Sequence, residues 1–294
     1  MGLFVIIQTM ERRLGVHISI AGGIDKGIER AKELGCSTVQ MFSHNPRGWE
    51  LGKRDALEVR RFRDLKKEYD IHPVFVHTSY LINLASPRQD LLHKSLDMIV
   101  QELHIADEID AEYVVLHTGS ASGDEPAAAR KRAIAALERV AGQGKWKAGL
   151  LLENTAGERG DITSRIVEIA GIIEKVPPGL IAGICLDTCH AFSAGYDITS
   201  EKGLKGLADE IRTHIGNDRL RLIHLNDSKK SRGSGVDRHE HIGEGTIGEK
   251  GLQRFLLHPF FSDVPLILET PKQSDEDDRR NIRNVRKLIG VYSC

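Results

Sequence analysis

Nine histidines, aspartates and glutamates in this chain stand where packing alone gives no reason for them. In GICLDTCHAF (Gly183–Phe192) the apolar run Ile184–Leu186 stops at Asp187, and His190 follows at once. The pattern recurs. HPVFVHT closes on His77, YVVLHTG on His117, GLLLENT on Glu153, LRLIHLND on His224 and PLILET on Glu269. Farther on, VDRHEH adds Asp237 and His239, two apart and so on one side of an extended backbone. His241 offers a less favoured pairing with His239. Imidazole plus carboxylate without thiolate suits zinc or manganese rather than a structural cysteine site. A zinc ion takes about four ligands, with one place left open for water when it is catalytic. Nine donors therefore exceed the needs of one ion and suit two or three, with a carboxylate bridging.

No single residue carries that reading. A lone His at a strand end is commonly a hydrogen-bonded structural residue, and Asp187 alone reads as the cap of the next turn. Six successive strands each end in a candidate ligand, a coincidence that separate structural roles do not explain. Cys189 and His190 are not read as a nucleophile and base, because adjacent side chains rarely face each other. His93, His104, His214 and His258 fall in helical or loop patterns and read as structural or surface groups. His72 opens a strand at the opposite rim, and His17 is expected beneath the metal site as a supporting group.

Distant donors can meet only if the elements bring them to one place. Eight short Val/Ile/Leu-rich runs recur along the chain: 14–20, 38–43, 72–78, 113–119, 149–155, 181–188, 220–227 and 265–270. Such runs are what parallel strands covered on both faces show. Between them lie helical patterns. GGIDKGIERAKELG closes on Gly35, a natural residue just past a helix end. SPRQDLLHKSLDMIVQELHIADEID is expected to start with Ser86 as N-cap and Pro87 in its first turn. A third runs from Pro126 to Gly142. The last begins at Ser274, with acids in its first turn. Eight β–α units without a linker predict one (β/α)8 TIM barrel over residues 14–294, with its active site at the C-terminal rim of the strands. Residues 1–13 form an N-terminal extension, read as an added strand or a start placed upstream of Met10. The connection from Asp227 to Pro265 is long and Gly-rich, and loops of that length over a rigid barrel usually carry function.

The formal net charge is -1, so any nucleic-acid site must be a local patch. Lys229, Lys230, Arg232 and Arg238 supply one. Four scattered cysteines outside any paired motif read as reduced thiols of a cytoplasmic protein. The apolar start is too short to span a bilayer and lacks the features of a secretion signal, so no membrane partner is expected.

At HTSYLINLASP, LLLENTAG, CLDTCHAFSAGYD, HLNDSKKSRGSGVDRHEHIGEGTIG and PLILETP the chain resembles endonuclease IV, the zinc-dependent apurinic/apyrimidinic endonucleases of base excision repair. The resemblance runs from about Leu14 to the last helix. It implies three zinc ions per chain, with manganese as an occupant in part, and no organic cofactor. Glu153 would bridge two ions. His77 and His117 would complete one of them, and Asp187, His224 and Glu269 the other. His190, Asp237 and His239 would hold the third. Catalysis would run through that cluster, with Glu153 and Glu269 as its key carboxylates. The implied reaction cuts the phosphodiester 5′ to an abasic sugar, leaving a 3′-hydroxyl, and trims blocked 3′ ends. The implied partner is double-stranded DNA with abasic or 3′-blocked damage, met by a monomer. Arg47, in HNPRGW, and Tyr80 and Leu81, in SYLIN, would wedge the duplex open. His44, Gly48 and Thr118 stand where the family pattern has Lys, a larger polar side chain and Pro. A metal-dependent sugar isomerase or epimerase on the same barrel is the alternative, since fold alone does not separate the two.

Overall fold

The computed structural model describes residues 12–52 and 54–290. Seven strands lead the order: β1 (Leu14–Val16), β2 (Val39–Phe42), β3 (Val74–His77), β4 (Tyr113–Leu116), β5 (Gly149–Glu153), β6 (Ile181–Asp187) and β7 (Leu220–His224). A two-residue ribbon follows, β8 (Asp227–Ser228) with β9 (His239–Glu240), and then β10 (Leu266–Leu268). The first five helices are α1 (Ile24–Glu33), α2 (Ala56–Glu68), α3 (Gln89–Glu108), α4 (Pro126–Ala141) and α5 (Ile166–Ile173). The remainder are α6 (Thr188–Ser193), α7 (Glu201–His214), α8 (Gly248–Leu257) and α9 (Asp275–Leu288). Each of the eight expected apolar runs contains one barrel strand.

The barrel strands pair in parallel in the order β1-β10-β7-β6-β5-β4-β3-β2, and a parallel bridge between His17 and Gln40 joins the two ends. This is the (β/α)8 barrel the sequence predicts. The main apolar core lies between strands and helices. A second cluster, Phe75, Val115, Leu151, Cys185, Leu222 and Ile267, brings together one buried residue from each of six strands inside the ring. Successive strand residues alternate faces, so the residues two positions on share that inner face. Those residues are His77, His117, Glu153, Asp187, His224 and Glu269. An apolar layer therefore forms the floor beneath six of the predicted ligands.

Two expectations are corrected. The third helix does not start at Ser86 and Pro87. Arg88 is extended (φ −81°, ψ 114°) and α3 begins at Gln89. The Ser86 hydroxyl accepts the Arg88 N–H at 3.1 Å, a local turn that holds the chain out of the helix for two further residues. The long connection before β10 is also not all loop, because it contains α8. The other helix ends stand as expected: Gly35 is left-handed past α1, Pro126 opens α4, and Ser274 caps α9 in a capping box. Most of the expected N-terminal extension, and Cys294, lie outside the described residues. Cys36, Cys185 and Cys189 are buried free thiols. Among the described residues no helix is long and apolar enough to cross a membrane.

Candidate metal centre

All nine predicted donors meet at the C-terminal rim, and their ligand atoms fall into overlapping groups. One group is His77, His117 and Glu153, a second is Glu153, Asp187, His224 and Glu269, and a third is Asp187, His190 and His239. Asp237 joins the third, its Oδ2 3.2 Å from His190 Nε2 and its Oδ1 3.2 Å from His239 Nε2. The i, i+2 pair is thus Asp237 and His239. His241 points elsewhere, its Nδ1 3.1 Å from Asn281 Nδ2.

Glu153 is central and has no exposed surface. Its Oε2 is 3.3 Å from His77 Nε2 and 3.2 Å from His117 Nε2, and its Oε1 is 3.1 Å from His224 Nδ1. Burial disfavours its ionised form, yet the surrounding imidazoles of His117, His224 and His190 outweigh that and hold the carboxyl well below its usual range.

Three backbone carbonyls and one side-chain amide fix which histidine nitrogen faces the cluster. His77 Nδ1 donates to the Thr78 carbonyl at 2.8 Å, and His239 Nδ1 to the Glu269 carbonyl at 2.9 Å. His190 Nδ1 donates to the Asn154 carbonyl at 2.9 Å, and His224 Nε2 to Gln40 Oε1 at 2.8 Å. A carbonyl oxygen only accepts, so each ring carries its proton there and can turn a lone pair inward when neutral. That is how protein metal sites orient imidazole ligands. His239 Nε2 is buried without a hydrogen-bond partner, an orphan atom aimed at Asp187 and Asp237. The donor set, the overlapping groups and that orphan fit divalent cations.

Asp187 does two jobs. Its Oδ1 accepts the His190 N–H at 2.8 Å and so caps α6, while its Oδ2 faces the cluster and accepts from Asn226 Nδ2 at 2.7 Å. The cap expected of Asp187 is present, and the same carboxylate keeps its second oxygen among the candidate ligands. Cys189, the rejected nucleophile, is pushed up to about 11 by burial and stays a thiol.

The structure adds groups that the sequence reading passed over. Gln40 Nε2 donates to Glu269 Oε1 at 2.6 Å, and Asn226 Oδ1 accepts the Glu269 N–H at 2.9 Å. Asn154 Oδ1 accepts the Asp187 N–H at 2.7 Å. Their signal was present: each is an amide inside or just beyond an apolar strand run. His17 sits where expected, its Nδ1 3.2 Å from Glu269 Oε1.

Asp227 organises the loop that supplies Asp237 and His239. Its carboxylate accepts N–H bonds from Ser228 (2.8 Å), Gly243 (3.2 Å), Gly245 (3.0 Å), Ile247 (3.0 Å) and Gly248 (3.1 Å). A side chain at position 245 would put its Cβ 2.5 Å from Asp227 Oδ1, so only glycine fits there. The far side of the loop is tied to α6: Gly233 and Gly235 N–H donate to the Phe192 and Ser193 carbonyls, both at 3.0 Å.

Six of the donors, His77, His117, His190, Asp237, His239 and Glu269, line an open cavity of about 1000 Å³, whose wall also includes Tyr80, Leu81, Asn83, Trp49 and Lys94. Tyr80 is 66% exposed and packs edge-on against Phe42, with ring centroids 5.0 Å apart. Arg47 is exposed on the neighbouring loop, outside the cavity wall. Within the basic loop, Arg232 pairs with Asp197 at 3.3 Å and Lys229 lies 3.9 Å from Glu240. Lys230 and Arg238 are exposed.

A family model described as Xylose isomerase-like TIM barrel matches residues 28–289. Probable endonuclease 4 of Halothermothrix orenii is 45% identical over 265 residues, covering 90% of this chain and 95% of its own. The crystal structure of endonuclease IV from Thermus thermophilus superposes with a TM-score of 0.83 at 37% identity, covering 95% of this chain and 100% of that one. A D-tagatose 3-epimerase-like protein shares the fold alone, with a TM-score of 0.72 at 18% identity over 95% of this chain and 97% of its own. Sequence, fold and the nine converging donors agree, and the chain belongs to the endonuclease IV family of xylose isomerase-like TIM barrels.

Proposed function

We propose that this protein is a metal-dependent DNA endonuclease that cuts the phosphodiester 5′ to an abasic sugar, leaving a 3′-hydroxyl, and that trims blocked 3′ ends. Three zinc ions per chain serve the reaction, with manganese as a partial substitute. The observation that carries the reading is the meeting of nine His, Asp and Glu side chains in overlapping groups, six of them lining one cavity and Glu153, Asp187 and His224 fully buried among them. Glu153, with His77 and His117 on one side and Asp187, His224 and Glu269 on the other, would hold two ions, and His190, Asp237 and His239 would hold the third. When bound, the ions lower the pKa of water toward neutrality and neutralise charge on the phosphate and the departing oxygen.

The chain's own groups do the rest. Carbonyls and amides hold the imidazoles in register, and Glu153 and Glu269 act through the cluster. Tyr80 and Leu81, with Arg47 beside them, enter the duplex. A nucleotide without a base has little stacking to lose, so its extrusion is cheap and selective. Lys229, Lys230, Arg232 and Arg238 meet backbone phosphates. A sugar isomerase or epimerase has no use for the third ligand set or for that basic loop. The reading takes residues 14–294 as one catalytic domain of a cytoplasmic monomer, with duplex DNA as substrate.

Two measurements test it. Metal analysis is expected to give about three zincs per chain, and a duplex with one abasic site is expected to be nicked until chelator is added. A single zinc with no incision after zinc is restored would sink the reading. Glu153→Ala is expected to abolish incision, and near-normal rates in that variant would remove the bridged cluster.

A further inference from the structure

One buried carboxylate has no part in the metal centre. Glu102 lies in α3 with no exposed surface, beneath the loops that follow β2 and β3. Its Oε1 accepts the Ser79 N–H at 3.1 Å, and His44 Nδ1 is 3.8 Å from the same oxygen. Glu102 Oε2 and His44 Nε2 are both buried without a hydrogen-bond partner. From the other side, the Ser79 hydroxyl donates to the Pro46 carbonyl at 2.8 Å and accepts the Leu81 N–H at 3.2 Å. Helix α3, the Pro46 carbonyl and Ser79 therefore meet in one polar knot around the buried Glu102, with His44, its Nδ1 2.9 Å from Ser43 Oγ, packed beside it.

Stability gives no reason for this arrangement. A buried polar atom without a partner costs on the order of 1–3 kcal/mol, and an apolar side chain of similar volume would avoid that cost. Hydrogen bonds supply what apolar contact does not, a fixed direction. The residues held by the knot neighbour those that reach into the duplex: Pro46 precedes Arg47, and Ser79 precedes Tyr80 and Leu81.

We propose that Glu102, seconded by His44, is a positioning residue for lesion recognition, which sets the β2 and β3 loops in the mutual arrangement that Arg47, Tyr80 and Leu81 need at the abasic sugar. The inference rests on the reading of those loops as the DNA wedge. Burial pushes the Glu102 carboxyl up to about 8 and holds the His44 imidazole below its usual value. Both are then uncharged at neutral pH, and glutamine is a close replica of the protonated acid.

The zinc-loaded full chain tests this with three readouts. These are KM and kcat for incision of a duplex bearing one tetrahydrofuran abasic analogue, hydrolysis of bis(p-nitrophenyl) phosphate, and fluorescence of 2-aminopurine placed opposite the lesion. Glu102→Gln is expected to stay within about twofold of the parent in all three, because it keeps an acceptor for Ser79. Glu102→Leu is expected to raise the duplex KM about tenfold, the loss of one buried hydrogen bond, and to abolish the fluorescence rise while small-diester hydrolysis is unchanged. His44→Leu, which leaves α3 untouched, is expected to show the same split and keeps the test alive if the first variant does not fold. An unchanged duplex KM in the leucine variants would overturn the proposal. An equal loss of small-diester hydrolysis would also overturn it, by moving the effect to the metal centre. Tyr80→Ala without effect on the duplex KM would instead remove the wedge reading beneath it.

Discussion

At the scale of the residue, protons occupy the centre when metal does not. Burial works against an imidazolium at His77, but Glu153 beside it wins and raises it to about 9. His239 is raised likewise to about 9 by Asp187 and Asp237, against the same opposition from burial. The sign of the pH effect follows. An imidazole whose folded pKa exceeds its unfolded value of about 6.5 contributes stability fully present below that value. The contribution fades as pH rises through about 9. Chelator-treated protein is therefore expected to melt at a lower temperature at the upper end of that window than near pH 6.5, whereas the zinc-loaded protein should change little. Thermal scans of both forms across the window check this, and an apo Tm that climbs with pH would contradict it. The candidate ligands were legible in the sequence because a charged or imidazole residue ending an apolar run has few other reasons to be there. Glu102 was not, since one polar residue in a helix does not say which distant group it will meet; Gln40 and Asn226 were visible as amides in apolar runs, but not their partner Glu269.

At the scale of the element, the sequence marked the strands well and the connections less well. Parallel strands covered on both faces read as unbroken apolar runs, and all eight were found. The start of α3 was misplaced because Pro87 and Arg88 extend the chain for two residues after a serine that looks like a cap. Helix α8 was hidden by the glycines around it. The basic loop was visible as charge, but the partners of Arg232 and Lys229 were not. What shapes that loop is Asp227, one carboxylate receiving five backbone N–H groups. Asp227→Asn turns one acceptor oxygen into an NH2 facing other donors. The variant is expected to drop from about three zincs to about two, and to become open to protease between residues 229 and 242. Metal content and limited proteolysis report both. A variant that keeps its full metal complement would show that Asp237 and His239 hold their places without this staple.

At the scale of the whole molecule, a net charge of -1 leaves the protein without a general attraction for nucleic acid. Binding must come from one face. Lys230 and Arg238, exposed beside the cavity, are expected to contribute about one released counterion each, so Lys230→Ala or Arg238→Ala should flatten the slope of log K against log salt by about one. Fluorescence anisotropy on damaged duplex at several salt concentrations measures this; an unaltered slope would place the phosphates elsewhere. The barrel's interior has a further consequence. Phe75, Val115, Leu151, Cys185, Leu222 and Ile267 form an apolar floor under the candidate ligands, while the cavity opens above them. A duplex seated over that mouth would also be a stopper, holding in any ion lodged among those side chains.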